Sequence, residues 1–268
     1  MNVLIEPNPR FSSHLTNIPL FSGLTEPQKE RLLRAGAVAA FEPGELLFRE
    51  GDPVGCFYIL KTGRVKARRI SPSGHEVVLH LAEPPQMVGC PALTAPGSRY
   101  PADGVALDPV VALRFCRERF LAAAGEFPEI LLKLLANMNQ RLKDLYSQKA
   151  ASMEPVEQRI AIFLLRQALP RGAQLSEWNF HPLAEVRLTK SLLASMVGTS
   201  TETAIRILSR WKKRKLVASE RGKIRIVEPG AIYALGLGMD PRPTWSQGPL
   251  PRTREPVPER ERLVSRAV

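Results

Sequence analysis

Residues 188–208 read LTKSLLASMVGTSTETAIRIL, and this stretch parses as two short helices around a sharp turn. Thr189 is placed to cap a first helix whose inward positions are Leu192, Leu193, Met196 and Val197. Gly198 stands where the chain must reverse, a place for a positive φ that only glycine adopts without strain. Thr199 or Ser200 then caps a second helix, with Ile205, Leu208 and Trp211 or Lys212 along it. Two helices joined by a short glycine-containing turn form a unit whose second helix enters the major groove of DNA. Just downstream, Leu216-Val217 and the run 224–227 flank Glu220-Arg221-Gly222-Lys223, the pattern of a β-hairpin, hence a wing.

Charge follows the same segment. The whole chain of 268 residues carries a formal +12 and a pI near 10.1. Between positions 187 and 227 eleven basic residues stand against two acidic ones, Glu202 and Glu220, a net of +9. A basic excess says nothing about fold, but it bears on partners, and concentrated on one small unit it fits phosphate binding with counterion release. The run WKKRK (211–215) has a blander reading, a solvated helix end that offsets the macrodipole.

The first turns of the second helix face base edges in such a unit, which nominates Thr201, Glu202, Ile205 and Arg206 as base readers. Arg206 can pair bidentately with guanine, Glu202 can accept from the cytosine amino group, and Thr201 or Ile205 can meet a thymine methyl. Thr189, Lys190, Ser200 and Thr203, with Gly222 and Lys223 of the wing, are candidates for holding phosphates. Glu202 also has a competing role, since T-x-x-E from Thr199 is the spacing of a capping box.

Upstream, the chain from Pro19 to about Phe120 has a β-like texture. Short apolar runs, ELLF (45–48), CFYIL (56–60), RVKARRI (64–70), EVVLHL (76–81) and PVVALRF (109–115), alternate with turn residues such as Pro43-Gly44, Gly51-Asp52, Thr62-Gly63 and Ser73-Gly74. Regular spacing of such strands predicts an antiparallel sandwich or barrel. After Pro128 the period changes: Leu131, Leu135, Met138, Leu142 and Leu145 follow at steps of four and three, a heptad seam with polar flanks. So narrow a stripe suits a partner helix, with packing on the chain's own barrel as the alternative. Pro155 opens a further helix, VEQRIAIFLLRQAL, followed by a polar loop from Pro170. Residues 236–268 hold six prolines, many arginines and few apolar side chains, and are expected to be disordered.

The fold class expected is therefore α+β: a leader (1–18), an antiparallel β jelly-roll barrel as sensor (19–122), a long dimerisation helix (123–152), a winged helix-turn-helix (153–235) and the Pro/Arg-rich tail (236–268). No run of about 18 apolar residues suggests a membrane span, and the opening MNVLIEPNPRF lacks the features of a secretory signal, so a cytoplasmic protein is expected. Three cysteines, Cys56, Cys90 and Cys116, are odd in number, far apart and never in C-x-x-C spacing, which argues against a disulfide framework and a metal site. No P-loop, H-E-x-x-H or nucleophile elbow is present, so no enzyme is expected.

With these residues in view the chain resembles the Crp/Fnr family of transcription regulators over residues 19–235. The resemblance rests on FEPGELLFREGD (41–52), FYILKTGRVKA (57–67), SGHEVVLHLA (73–82) and the segment 188–208, whose E-T-x-x-R core is similar to the family's recognition-helix signature. It implies a cyclic-nucleotide-binding-like barrel, a homodimer on palindromic double-stranded DNA, and RNA polymerase as a partner. By the same resemblance Glu202 and Arg206 fall on base-reading positions, and Thr201 replaces the arginine of catabolite-activator-type members, so half-sites with a TGA core of the Fnr-like type are expected.

The departures concern the ligand. In family members that bind a cyclic nucleotide, a glutamate holds the ribose and an arginine the phosphate; the matching stretch here, 88–107, puts Cys90 and Tyr100 at those positions after Gly89, with Arg99 one residue off and so on the opposite face of a strand. This degenerate cassette speaks against a cyclic nucleotide. The iron–sulfur branch needs several N-terminal cysteines, and the leader has none. Haem would have to use His14, His75, His80, His181 or Met87, each with an ordinary surface or core reading. Cys90 and Cys116 are candidate redox thiols, with simple core filling as the competing reading. The effector stays unidentified, and a small-molecule-binding signalling module without a DNA role is the alternative function.

Overall fold

The computed structural model describes residues 4–5, 18–74, 76–90, 97–169, 185–220 and 222–239. The chain separates into two compact units, 1–150 and 151–268. His14, His75, His181, Arg221, most of the leader, the loop at 170–184 and the tail from 240 lie outside the described residues, so the expectations placed on them are left there.

In the first unit, strands β1 (Leu4–Ile5), β2 (Gly36–Phe41), β4 (Cys56–Thr62), β7 (Met87–Val88) and β9 (Val110–Cys116) form one antiparallel sheet in the order β1-β2-β9-β4-β7. Strands β3 (Leu46–Phe48), β5 (Val65–Ile70), β6 (Glu76–Ala82) and β8 (Asp103–Ala106) form a second, ordered β3-β8-β5-β6. All five apolar runs read as strands from the sequence contribute strands. Four elements were hidden in that texture: β2, which is rich in alanine, the short β7 and β8, and helix α1 (Glu26–Arg34). The β-like reading of 19–120 is corrected at α1, where Thr25 caps the helix and its backbone N–H donates to the Gln28 side chain at 2.8 Å.

The five-stranded sheet is covered on both faces, which explains why β4 is apolar at every position from Cys56 to Leu60. Tyr58 and Leu60 share a core with Phe41, Leu47, Val65 and Ala106, between the two sheets. Phe57 and Ile59, one residue out of phase, pack with Leu32 of α1, Phe120 of α2 (Arg117–Ala124) and Ile130 of α3 (Pro128–Ala151). Successive strand side chains point to opposite faces, so a strand with two dry faces loses the alternation that marks a half-exposed one.

Helix α3 divides its side chains the same way. Ile130 and Leu134 are buried against the barrel, with Met138 packed partly against the same cluster. Leu131, Leu135, Leu142 and Leu145 are 46%, 61%, 44% and 48% exposed. The heptad seam is therefore a second face, distinct from the one that docks the helix on its own barrel, and Met138 lies between the two.

In the second unit, α4 (Val156–Ala168), α5 (Lys190–Val197), α6 (Thr201–Lys213) and α7 (Pro229–Gly236) enclose one core with a three-stranded antiparallel sheet of order β10-β12-β11. Strand β11 (Val217–Glu220) pairs with β12 (Lys223–Ile226), Glu220 opposite Lys223. The hairpin was legible in the sequence; the third strand, β10 (Glu185–Val186), was not. Ile160, Leu164, Leu193, Ala204, Trp211, Ile226 and Ile232 are the sealed centre of this core.

Candidate nucleic-acid interface

The two helices at 190–213 are set by their caps. The Thr189 hydroxyl accepts from the Leu192 backbone N–H at 3.1 Å, satisfying one of the donors that a helix start leaves open. At the far end of α5, Gly198 adopts φ +65°, ψ +52° and the chain turns. The Ser200 hydroxyl accepts from the Thr203 N–H at 3.2 Å and donates to the Thr203 hydroxyl at 3.0 Å. Ser200, not Thr199, is thus the cap of α6, and the alternative capping box from Thr199 to Glu202 is not formed. Glu202 is exposed and has no hydrogen-bond or ion-pair partner among the described residues.

The burial pattern sorts α6 into two faces. Ala204, Ile207, Leu208 and Trp211 turn inward, so Trp211 rather than Lys212 continues the apolar stripe. Thr201, Glu202, Ile205 and Arg206 all lie on the outward face, with Ile205 40% exposed. In α5 the inward residues are Leu193, Ala194 and Val197; Leu192 and Met196 are only half-buried, which corrects the sequence-based stripe at Met196.

Two acidic residues from outside the basic segment meet it in space. Glu157 of α4 accepts from Arg210 Nη2 and from Trp211 Nε1, both at 2.6 Å. Glu185 of β10 lies 3.0 Å from Lys223 Nζ and 3.5 Å from Arg187 Nε. The Lys223 hydrogen bond leads in holding the Glu185 carboxyl below its usual range, with Arg187 adding to it. The +9 counted along the sequence is therefore partly compensated: Arg210 and Lys223 carry partners of their own, and Lys223 reaches a phosphate only in competition with Glu185. Arg159 of α4 also braces the turn, its Nη2 donating to the Gly198 carbonyl at 3.4 Å. Sequence reading missed these residues because their contacts with Arg210, Trp211, Lys223 and Gly198 each span more than 30 positions.

In the barrel the four cassette residues do not all converge: Gly89 adjoins Tyr100, but Cys90 and Arg99 lie elsewhere. Gly89 adopts φ +76°, and a Cβ there would lie 3.2 Å from the Cys56 carbonyl oxygen and 3.4 Å from the Tyr100 ring. Tyr100 is buried, stacks on Phe48 at 4.4 Å between centroids, and donates its hydroxyl to the Cys56 carbonyl. Burial pushes the phenol up to about 12, so it stays a neutral donor. Cys90 points instead into the helix-side core with Phe57 and Leu113. Arg99 is exposed and donates to the Gly51 carbonyl at 2.5 Å, on the other side of the chain from Tyr100. Of the described haem candidates, Met87 is buried in the helix-side core and His80 is half-buried on β6. Among the described residues no group of His, Cys, Asp and Glu is arranged to hold a metal ion, and no helix is long and apolar enough to cross a membrane.

Comparison with known proteins bears on both units. Residues 38–126 match the cyclic nucleotide-binding domain family and residues 158–235 the Crp-like helix-turn-helix domain, together more than half of the chain. The transcriptional activator protein Anr of Pseudomonas protegens is 26% identical over 73% of this chain and 78% of its own length. The cyclic AMP receptor protein of Thermus thermophilus is 27% identical over 82% of this chain and 98% of its own. Among solved structures, the regulator CLP of Xanthomonas campestris shares the fold at a TM-score of 0.63 and 20% identity, covering 76% of this chain and 99% of that one. FixK2 of Bradyrhizobium japonicum does so at 0.63 and 17%, covering 75% and 96%. A barrel of two antiparallel sheets, a glycine-turned helix pair with a hairpin beside it, and matches over both leave one assignment: this chain is a DNA-binding transcription regulator, not an enzyme, and a member of the Crp/Fnr family.

Proposed function

We propose that the protein binds a palindromic promoter site as a homodimer in the cytoplasm, reading TGA-containing half-sites with Thr201, Glu202, Ile205 and Arg206. The observation that carries this reading is the outward face of α6, where Glu202 and Arg206 stand one helical turn apart on a helix whose opposite face is locked into the core. Arg206 pairs with guanine and Glu202 accepts from cytosine, while Thr201 and Ile205 meet a thymine methyl. Thr189, Lys190, Ser200 and Thr203 at the two helix starts hold phosphates, helped by the dipoles of those ends. Gly222 and Lys223 of the wing add a further backbone contact.

The seam Leu131, Leu135, Met138, Leu142 and Leu145, exposed at its four leucines, supports dimerisation through α3, which sets the two half-sites about one DNA turn apart. An unidentified effector acting at the barrel or dimer helix alters the match between the paired recognition helices and that spacing, and RNA polymerase is the expected partner at the promoter. The divergent Gly89, Cys90, Arg99 and Tyr100 cassette supports a ligand other than a cyclic nucleotide, or none.

A mobility-shift titration tests the reading, comparing a palindromic duplex with TGA half-sites against one with scrambled half-site cores. A preference on the order of 10³-fold at physiological salt is expected. Equal affinity for both duplexes across a salt series would overturn it.

A further inference from the structure

The barrel holds a pair of thiols that the sequence separates by 60 positions. Cys56 opens β4, Cys116 closes β9, and the two are directly opposed in the antiparallel register. Their Sγ atoms lie 3.3 Å apart, and both cysteines are free. The adjacent rung shows which kind of position this is: the Arg117 N–H donates to the Gly55 carbonyl at 2.9 Å, so 55/117 is a hydrogen-bonded pair and 56/116 is not. At non-hydrogen-bonded positions the Cα atoms approach to about 4.5 Å and side chains come closest. That spacing falls at the short end of the range a disulfide spans, about 4.4–6.8 Å.

Other contacts hold the pair in place. The peptide groups of Cys56 that do not bond β9 turn toward Tyr100, whose hydroxyl receives the Cys56 N–H at 3.4 Å and donates to its carbonyl. Cys116 starts α2 as its N-cap. Cys90, the third thiol, belongs to the helix-side core.

We propose that Cys56 and Cys116 form a reversible dithiol–disulfide site, oxidised by a hydroperoxide and restored by a small dithiol. The two sulfurs are unequal. Cys116 is partly exposed, whereas Cys56 is buried. Burial leads in pushing the Cys56 thiol up to about 11, the hydrogen bond with Cys116 adding to it, so Cys56 keeps its proton at neutral pH. Cys116 is therefore the thiol that meets the oxidant. Its thiolate attacks one peroxide oxygen; the S–O bond forms, the O–O bond breaks, and the departing oxygen takes a proton and leaves as water. The Cys56 sulfur then attacks the Cys116 sulfenic sulfur. The S–S bond forms, the S–O bond breaks, and the hydroxide leaves with the Cys56 proton as a second water. Two thiols and one hydrogen peroxide thus give one disulfide and two waters. Such a bond is reversible when exposed or strained, since thiolate exchange then reopens it readily.

The site stands independently of how the protein reads DNA, and its test involves no DNA. The full-length reduced protein is treated with stoichiometric hydrogen peroxide, quenched with N-ethylmaleimide under denaturing conditions, and mapped by peptide mass spectrometry. Free thiols are expected to fall from three per chain to one, Cys90, with a Cys56–Cys116 linked peptide on a chain lighter by two hydrogens and reversal by dithiothreitol. In Cys56→Ser, Cys116 is expected to stop at the sulfenic acid and be trapped by dimedone. Should that variant not fold, the wild-type map alone decides. Three alkylated cysteines after peroxide would overturn the proposal, as would a link through Cys90, a link between chains, or Cys116 driven to the sulfinic acid while Cys56 stays free.

Discussion

The indole N–H of Trp211 donates to the Glu157 carboxylate at 2.6 Å. Trp211 is fully buried on the inward face of α6, so Glu157 supplies the one polar partner its ring needs. Glu157→Ala leaves that donor unsatisfied and is expected to lower stability by about 1–3 kcal/mol. Glu157→Gln keeps a carbonyl acceptor for the indole and releases only the partly exposed Arg210, so its loss is smaller. Denaturant unfolding of the two variants beside the wild type checks the order; equal losses would show that the ion pair, not the indole bond, carries the effect.

On the outer face of the same helix the expected effects are on recognition. Arg206→Ala and Glu202→Ala should each weaken binding to the cognate duplex by about 1–3 kcal/mol and flatten preference at one base pair. Lys190→Ala should weaken all duplexes alike and reduce the salt slope by about 1. Competition titrations against single-base variants separate the two classes.

Gly198 has φ +65° and open space around the position a Cβ would take. Gly198→Ala therefore costs only the left-handed backbone penalty, about 1–2 kcal/mol. At Gly104 the balance reverses: a Cβ would meet the Phe48 ring at 2.5 Å, so Gly104→Ala must displace a ring stacked on Tyr100. A larger fall in the unfolding midpoint is expected there, and a smaller one would mean that Phe48 moves freely.

The two faces of α3 predict opposite phenotypes. Leu135→Glu, on the exposed seam, should convert dimer to monomer in native mass spectrometry while leaving helical content intact. Ile130→Ala, on the barrel side, should cost about 2–5 kcal/mol of stability through the cavity it leaves. A Leu135→Glu chain that stays dimeric would place the dimer contact elsewhere.

Glu76 predicts a pH effect. Its carboxylate accepts from Lys66 Nζ at 2.6 Å and Arg68 Nη1 at 2.7 Å. Burial acts in the opposite sense, but these two bonds prevail and hold the group below the ordinary carboxylate range. A carboxyl depressed in the folded state stabilises the protein above its unfolded pKa, about 4.3, and loses that contribution as pH falls through the folded value. The wild type should therefore be more stable than Glu76→Gln at pH 7, with the gap closing below about pH 4. A gap independent of pH would rule out the ion cluster as its source.

What could be read from the residues alone is what short-range chemistry encodes. The cap at Thr189, the glycine at 198, the hairpin leading into Lys223 and the seam on α3 all act within about seven positions, where helix and strand periodicity directly reports which face is dry. What only the tertiary structure decided lies across longer separations. Glu185 reaches Lys223 because β10 joins β12, Glu157 reaches Trp211 because α4 and α6 share one core, and Cys56 meets Cys116 because β4 and β9 pair in one register out of many. Register and partner choice are set by the packing of whole faces, and a strand such as β4, dry on both sides, carries no alternation from which they could be inferred.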